Sequence, residues 1–396
     1  WNHNNRKNKD MIGICIKYFH ESYGGMLQAL ATVKTLEKRG IDYELIRYVK
    51  SYTLWQKIKQ IPRLFNAILL NDKLNQISKK VARYKYPDFA KNEAVRKKCF
   101  SSFCNRMFVK VSPEFVGYDN LHKGAKRYSA IVTGSDQLWS PAGLETNFYN
   151  LMFVPKNIRT ISIASSFGVG QIPSYQVKKT RQYLQRIDFI SMRETRGSEI
   201  VKELTGRDVP TILDPVFYLE KSEWDELIPT NIEFDEPYIF AFLLGKNPEH
   251  RKAVQMAAER FNCKIVTMHH LNEYVKADEN FGDIVLYDVD PTRFLNLLRG
   301  AEYVCTDSFH GTVFSIIYNK QFVVFNRYAE NVKHSKNSRI DTLCSNVELQ
   351  NQRCCGCDDI CEKISFKIDY CKVGERLDML KKYTFEYIDK VLTVNN

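Results

Sequence analysis

The chain has 396 residues, 44% of them hydrophobic and 26% charged, which is enough for two or three globular domains. Size and composition exclude a disordered chain, a collagen and a disulfide-rich miniprotein. The uninterrupted apolar runs, such as residues 238–244, are far shorter than the roughly 18 residues that a membrane-spanning helix needs.

The net charge of +12 is concentrated in one segment, because residues 50–100 contain thirteen Lys or Arg residues and only three acidic residues. Apolar side chains alternate there with Lys57, Lys59 and Arg63. This pattern fits a helix on an anionic membrane surface, where a lipid-diphosphate-linked sugar would also be attracted. It also fits a helix packed on the domain with a solvated basic face. We expect no nucleic-acid binding, because no recognised motif accompanies the charge.

The predicted elements of the first half alternate between strands and helices. In chain order they are a strand at 11–15, a Gly24-Gly25 turn, a helix at 26–39, a strand at 41–48, the helical basic insertion 50–100, strands at 128–133, 160–164 and 189–193, and a helix beginning near Ser198. A β-α-β order of this kind favours a parallel sheet.

The acidic stretch 220–236 is predicted to connect to a second α/β series. Its elements are strands at 238–244, 264–268, 302–305 and 321–325, and helices at 248–261, 290–298, 311–318 and 377–393. We therefore predict an α/β fold with two Rossmann-like domains facing a cleft. The first covers residues 11–215 with the insertion 50–100, the second covers 216–376, and a closing helix covers 377–396.

Ligands of open parallel sheets bind beyond the carboxyl ends of the strands, which selects the polar loops after the predicted strands. None of them matches a Walker A or dinucleotide motif. His310 precedes a helix near its N-terminus, where an anion is favoured, and could act as a general acid or base. Alternatively, it packs in the cleft wall. Arg193 ends a strand and could clamp a carboxylate or phosphate, or it pairs with Glu194 or an aspartate to support the loop.

Six short motifs in order resemble those of the polysaccharide pyruvyl transferase family over about residues 11–343. They are SYGGMLQA at 22–29, GSDQLW at 134–139, SSFG at 165–168, SMRE at 191–194, Asp214-Pro215 and TDSFHG at 306–311. The resemblance implies a fold like that of GT-B glycosyltransferases. It also implies transfer of a pyruvyl group from phosphoenolpyruvate (PEP) to a sugar of a polysaccharide or its lipid-linked precursor, with release of phosphate and no required cofactor.

The family histidine corresponds to His310 and its strand-end arginine to Arg193. Ser308 stands where better-studied members have an arginine, so Arg327, Lys333 or Arg339 is expected to replace that donor clamp, and Ser22 stands where an asparagine is common. The resemblance assigns catalysis to His310, Arg193 and Asp136, donor binding to Ser308, Phe309, Gly311, Lys246, Arg327 and Arg339, and acceptor binding to Ser22, Tyr23, Gly24, Gly25 and Gln137.

Two other functions stay open, namely a GT-B-type glycosyltransferase that uses a nucleotide sugar and a non-catalytic glycan-binding relative. The expected partner is a sugar acceptor, with undecaprenyl diphosphate as one carrier. The expected location is the cytoplasm, at the inner face of the cell membrane. We expect residues 1–10 to be a processed leader or an added segment outside the fold.

Five of the eleven cysteines lie between residues 354 and 371. Cys354, Cys357, Cys361 and Cys371 suggest a zinc or iron–sulfur ligand set, although their spacing matches no standard motif closely. Reduced thiols without a metal are the alternative, and the scattered cysteines inside apolar runs favour a reduced protein.

Overall fold

The computed structural model describes residues 11–51, 67–141, 147–328 and 337–393. Its first sheet has the strand order β2-β1-β5-β6-β7, and every neighbouring pair is parallel. The strands are β1 (Ile12–Cys15), β2 (Tyr43–Leu45), β5 (Ala130–Thr133), β6 (Arg159–Ser165) and β7 (Phe189–Met192), while β3 (Tyr48–Val49) pairs separately with β4 (Phe115–Val116). Strands β1 and β5 are buried along their whole length, as expected for a parallel sheet covered on both faces.

The helices of this half are α1 (Tyr23–Lys38), α2 (Ala67–Lys85), α3 (Pro87–Met107), α4 (Tyr118–Ala125), α5 (Ser174–Arg186) and α6 (Thr195–Thr205). The prediction of a Gly24-Gly25 turn before the first helix is wrong. Helix α1 begins at Tyr23, and the side chain of Ser22 caps it by accepting a hydrogen bond from the backbone of Gly25 at 3.2 Å. Both glycines therefore lie in its first turn.

The predicted basic insertion includes the long helices α2 and α3, whereas Lys57, Lys59 and Arg63 lie outside the described residues. Helix α3 crosses to the second sheet, where Arg96 donates hydrogen bonds to the carbonyls of His269, Leu286 and Tyr287 at 2.6–3.2 Å. The insertion thus joins the two halves of the molecule.

The second sheet has the strand order β10-β9-β8-β11-β12-β13, again entirely parallel. Its strands are β8 (Tyr238–Phe242), β9 (Lys264–Thr267), β10 (Ile284–Val285), β11 (Tyr303–Thr306), β12 (Gln321–Phe325) and β13 (Arg353–Cys354). The helices of the second half are α7 (Lys221–Leu227), α8 (Pro248–Phe261), α9 (Pro291–Gly300), α10 (Phe309–Ile317), α11 (Ser338–Asn346), α12 (Ile360–Ser365) and α13 (Tyr370–Thr393). These two sheets confirm the predicted α/β fold with two Rossmann-like domains.

The closing helix α13 begins at Tyr370, earlier than the predicted residue 377, and packs on the first domain. Thr384 accepts a hydrogen bond from the backbone of Leu213, and Asp389 pairs with Arg39 at 2.7 Å. The chain therefore returns to the first domain after completing the second. No helix in the described ranges is both long enough and apolar enough to cross a membrane.

Candidate active site

A cavity of about 390 Å³ lies in the cleft, at the carboxyl ends of the strands of both sheets. It brings together ten of the predicted site residues from the two domains. They are Ser22, Tyr23, Gly24, Asp136, Gln137, Ser308, Phe309, His310, Arg327 and Arg339.

The loop before α10 presents a helix N-terminus to this cavity. Ser308 caps the helix by accepting a hydrogen bond from the backbone of Gly311 at 3.3 Å, so α10 begins two residues before the predicted Gly311. A Cβ at Gly311 would lie 2.5 Å from the hydroxyl of Thr306, which explains the glycine there. The partial positive charge of the helix N-terminus favours an anion in the cleft.

The starts of α1 and α10 meet across the cleft. A Cβ at Gly24 would lie 2.0 Å from Nδ1 of His310, so only glycine admits the imidazole. Tyr23 holds the start of α1 against the second domain, because its hydroxyl donates a hydrogen bond to the carbonyl of Val289 at 3.0 Å. The first turn of α1 and the predicted catalytic histidine thus form one surface.

Asp214 links the two predicted catalytic residues. Its Oδ2 lies 2.6 Å from Nη1 of Arg193 and 3.7 Å from Nε2 of His310, and it also accepts from the Ser135 hydroxyl at 2.9 Å. Burial raises the pKa of Asp214, but the neighbouring His310 and the charge of Arg193 outweigh burial and hold that pKa well below its usual range. The sequence motif contained Asp214, yet no role had been predicted for it.

Arg193 does not line the cavity as a free clamp. Its side chain is 1% exposed and lies behind Phe309, with the guanidinium carbon 4.6 Å from the ring centroid. The structure therefore contains the Arg–Asp pair that was the alternative interpretation of Arg193.

Arg339 contacts the same aromatic ring and, within the part of the chain that the structure describes, has no carboxylate at ion-pair distance. Its guanidinium carbon is 5.6 Å from the centroid of Phe309, and its buried Nε has no hydrogen-bond partner. Burial and the neighbouring charge of Arg193 lower the pKa of Arg339 to about 10, so it is still protonated at neutral pH. A buried guanidinium beside the cavity is a ready site for a ligand anion.

Arg327 is a second cation in the cavity, and Asp307 anchors it. Its Nη2 donates to the backbone carbonyl of Asp307 at 2.8 Å, while the carboxylate of Asp307 accepts from the backbones of Leu244 and Gly245 at 2.7 Å each. Lys246, predicted to bind the donor, instead pairs with Glu273 at 2.6 Å and is 59% exposed.

Asp136 has a left-handed backbone, with φ of 68°. This conformation is costly for a residue other than glycine and is concentrated at functional sites. Burial raises the pKa of Asp136, but the charges of Lys17, Arg193 and other cations outweigh burial and bring it to about 2. Asp136 is therefore an anion that can accept from a hydroxyl group.

The cavity also has lining residues without a predicted role, among them His270 and Arg96. His270 lines it, and burial together with the charge of Arg327 lowers the pKa of His270 to about 4. Arg96 reaches it from α3. Neither lies in a motif, and only the docking of the insertion on the second domain brings Arg96 to the cleft.

The four cysteines proposed as metal ligands do not form a ligand set. Cys354 is buried and hydrogen-bonds to Asp359 at 3.2 Å, whereas Cys371 is exposed. Across residues 11–51, 67–141, 147–328 and 337–393, no three His, Cys, Asp or Glu side chains are grouped so that they could hold a metal ion. All eleven cysteines of the chain are free thiols.

Solved structures with a similar fold support this architecture. A UDP-GlcNAc 2-epimerase from Methanocaldococcus jannaschii is similar with a TM-score of 0.52 and 10% identity, over 94% of this chain and 99% of that one. The UDP complex of MnaA from S. aureus is similar with a TM-score of 0.52 and 13% identity, over 98% of both chains. These likenesses show a GT-B-like fold and nothing about substrates.

Among curated proteins, no sequence matches this chain. The model of the family described as polysaccharide pyruvyl transferase matches residues 23–328, which include Gly24, Gly25, Asp136, Asp214 and His310. The chain therefore belongs to the polysaccharide pyruvyl transferase family and is a transferase.

Proposed function

We propose that the donor is PEP and that its pyruvyl group is transferred to a sugar of a cell-surface polysaccharide or its lipid-linked precursor. The observation that carries the donor assignment is Arg339, a buried guanidinium beside the cavity whose Nε lacks a partner. PEP offers it a carboxylate and a phosphate. Arg327 and the N-terminus of α10 supply further positive potential in the same cavity.

The chemistry requires one proton on carbon and two attacks by hydroxyl groups. Protonation of the PEP methylene gives an oxocarbenium-like centre, which one sugar hydroxyl attacks. A second hydroxyl closes the ketal as phosphate leaves. The two hydroxyl protons end on the new methyl group and on the phosphate, so atoms and charge balance.

His310 is the residue that we assign to proton transfer. It lines the cavity beside Gly24, and Asp214 holds the far side of its ring at 3.7 Å. A carboxylate in this position orients the ring for proton transfer. Asp136 is assigned to orient an acceptor hydroxyl, and Arg193 to position Asp214.

The acceptor side is assigned to Ser22, Tyr23, Gly24 and Gln137, which line the cavity from the first domain, with Gly25 behind Ser22. A lipid-linked acceptor would place the reaction at the inner face of the cell membrane. The basic segment that would approach the membrane, around Lys57, Lys59 and Arg63, lies outside the described residues.

Thermal unfolding with added ligands tests the donor. PEP at 100 times its Kd should stabilise the wild-type protein by about 2.7 kcal/mol, and UDP should not. Arg339→Met should lose this stabilisation. The matched control is Arg376→Met, which removes a surface arginine of α13 that pairs with Glu348. Stabilisation by UDP instead of PEP would favour the nucleotide-sugar glycosyltransferase.

A further inference from the structure

A second cavity, of about 480 Å³, adjoins the cleft. It lies between the insertion helices and the segment that follows β9, at the carboxyl ends of the edge strands of the second sheet. His269, His270 and Leu271 line both cavities. A ligand that leaves the cleft over these three residues enters the second cavity directly.

Aromatic rings form much of the wall of this cavity. Tyr86 of the insertion and Tyr274 of the second domain stack with ring centroids 4.1 Å apart and an interplanar angle of 4°. Phe89 packs edge-on against Tyr274, and Tyr287 lies edge-on to His269. Flat apolar faces with polar edges suit the C–H faces of pyranose rings.

The polar groups of the wall disfavour an anionic ligand. Its charged residues are three carboxylates, Asp88, Asp278 and Glu279, and one cation, Lys85. Lys85 lies over the ring of Tyr86 at 5.4 Å, and Asp278 is paired with the buried Arg251 at 2.7 Å. With Arg251 counted, one net negative charge remains for a nucleotide or PEP to meet, whereas the hydroxyl groups of a neutral sugar can donate to Asp88 and Glu279.

The divider between the two cavities is uncharged and fixed. His269 has both ring nitrogens engaged, one with the carbonyl of Phe281 at 3.0 Å and the other with the hydroxyl of Tyr287 at 3.3 Å. Arg96 anchors the same segment by donating to the carbonyl of His269 at 2.6 Å. A neutral chain can therefore pass from one cavity to the other over a rigid surface.

We propose that the second cavity binds neutral sugar residues of the acceptor glycan next to the sugar that is modified in the cleft. This inference rests on the proposed function, because it takes the ligand of the cleft to be a sugar. It gives the insertion a role in acceptor recognition, independent of any membrane contact.

Ligand-observed NMR on the full chain tests the proposal with neutral tetrasaccharides of glucose, galactose, mannose and N-acetylglucosamine, each beside its monosaccharide. At least one tetrasaccharide should bind the wild type about tenfold more tightly than its monosaccharide. Tyr274→Ala should remove that advantage, a tenfold loss corresponding to about 1.4 kcal/mol. Tyr84→Ala is the matched control, because Tyr84 is 93% exposed on α2 and lies outside both cavities.

Wild-type protein that shows no tetrasaccharide advantage, or Tyr274→Ala protein that keeps it, overturns the proposal. If Tyr274→Ala fails to fold, Asn92→Ala on the insertion side of the cavity gives the same test. PEP binding should be unchanged in these variants. If the wild type does not bind PEP but binds the glycan in a manner that depends on Tyr274, the donor assignment is refuted and the glycan site is not.

Discussion

Two buried arginines contact the Phe309 ring in opposite situations. Arg193 pairs with Asp214 at 2.6 Å and donates to Ser135 at 3.2 Å. Arg339 has no carboxylate within ion-pair distance among the described residues. Because the Nε atoms of both arginines lack a hydrogen-bond partner, the carboxylate is what distinguishes them. The same aromatic surface therefore supports one neutralised cation and one available cation.

The pKa shifts follow the same division. Burial lowers the pKa of Arg193, but the charges of Asp214 and Asp136 outweigh burial and raise it above its ordinary value. The pKa of Arg339 is lowered to about 10. A buried charge with a partner supports the scaffold, whereas a buried charge without one costs stability unless a ligand supplies the counter-charge. The fold thus separates an arginine that is paired with a carboxylate from an arginine that is available to a ligand.

The largest effect on stability is expected from Arg193→Met. Removing the guanidinium leaves Asp214 buried without its partner, which should lower the free energy of unfolding by about 3–5 kcal/mol. Urea unfolding measures this loss. The double variant Arg193→Met with Asp214→Asn should recover part of it, and a wild-type midpoint for Arg193→Met would refute the scaffold role.

His310→Ala should affect chemistry and leave the fold intact. Nε2 of His310 has no hydrogen-bond partner, so its loss leaves no strong donor or acceptor unsatisfied. Release of phosphate from PEP with a competent acceptor should fall about 100-fold or more. Circular dichroism and the unfolding midpoint serve as the control, and a rate near that of the wild type would remove His310 from the mechanism.

Glu93 in the insertion offers a partly exposed pair for comparison with the buried one. It pairs with Arg83 at 2.6 Å and Lys79 at 2.8 Å, and although burial raises its pKa, these hydrogen bonds bring it to about 2 from 4.5. The stabilisation is therefore complete above pH 4.5 and is lost as the pH falls towards 2.

Glu93→Gln should lower the free energy of unfolding at pH 7 by about 1–2 kcal/mol, less than Arg193→Met because Arg83 is 41% exposed. Urea unfolding of both proteins between pH 7 and pH 3.5 should show the difference shrinking in acid. A constant difference across that range would show that the carboxylate charge is not its source.

The smallest change in free energy per substituted residue is expected in the basic segment, where it affects membrane binding. Co-sedimentation with anionic vesicles at low salt should weaken when Lys57, Lys59 and Arg63 are changed to Glu, by about 1 kcal/mol for each residue near the surface. Added salt should weaken it further. If the wild-type protein stays in the supernatant at low salt, the segment does not bind membranes and its basic side chains form only a solvated face.

Local patterns predicted most strands and most helices because apolar periodicity and strand-end loops are short-range signals, but they missed the two-residue strands β4, β10 and β13. They also placed His310 at a helix N-terminus. The start of α1 was mispredicted because Gly24 and Gly25 usually indicate a turn, whereas Gly24 is required by the ring of His310 in the other domain. No local signal reveals a contact between residues so far apart in the chain.

The pairing of charges was equally hidden in the sequence. The separate motifs contained Arg193 and Asp214, and Arg339 lies downstream of them, but only tertiary packing decides which arginine has a carboxylate beside it. Likewise, Arg96 was one of many cations in a basic segment. It donates to three backbone carbonyls, and because every residue type has a backbone carbonyl, the sequence cannot indicate these hydrogen bonds.

The most direct test of the central claim compares the two arginines by calorimetry, with and without PEP. We predict that Arg339→Met unfolds at or above the wild-type temperature without ligand, because a buried unpaired charge is removed, and that its affinity for PEP falls about 100-fold, or about 2.7 kcal/mol. An Arg339→Met protein that unfolds earlier than the wild type and still binds PEP with wild-type affinity would contradict the account.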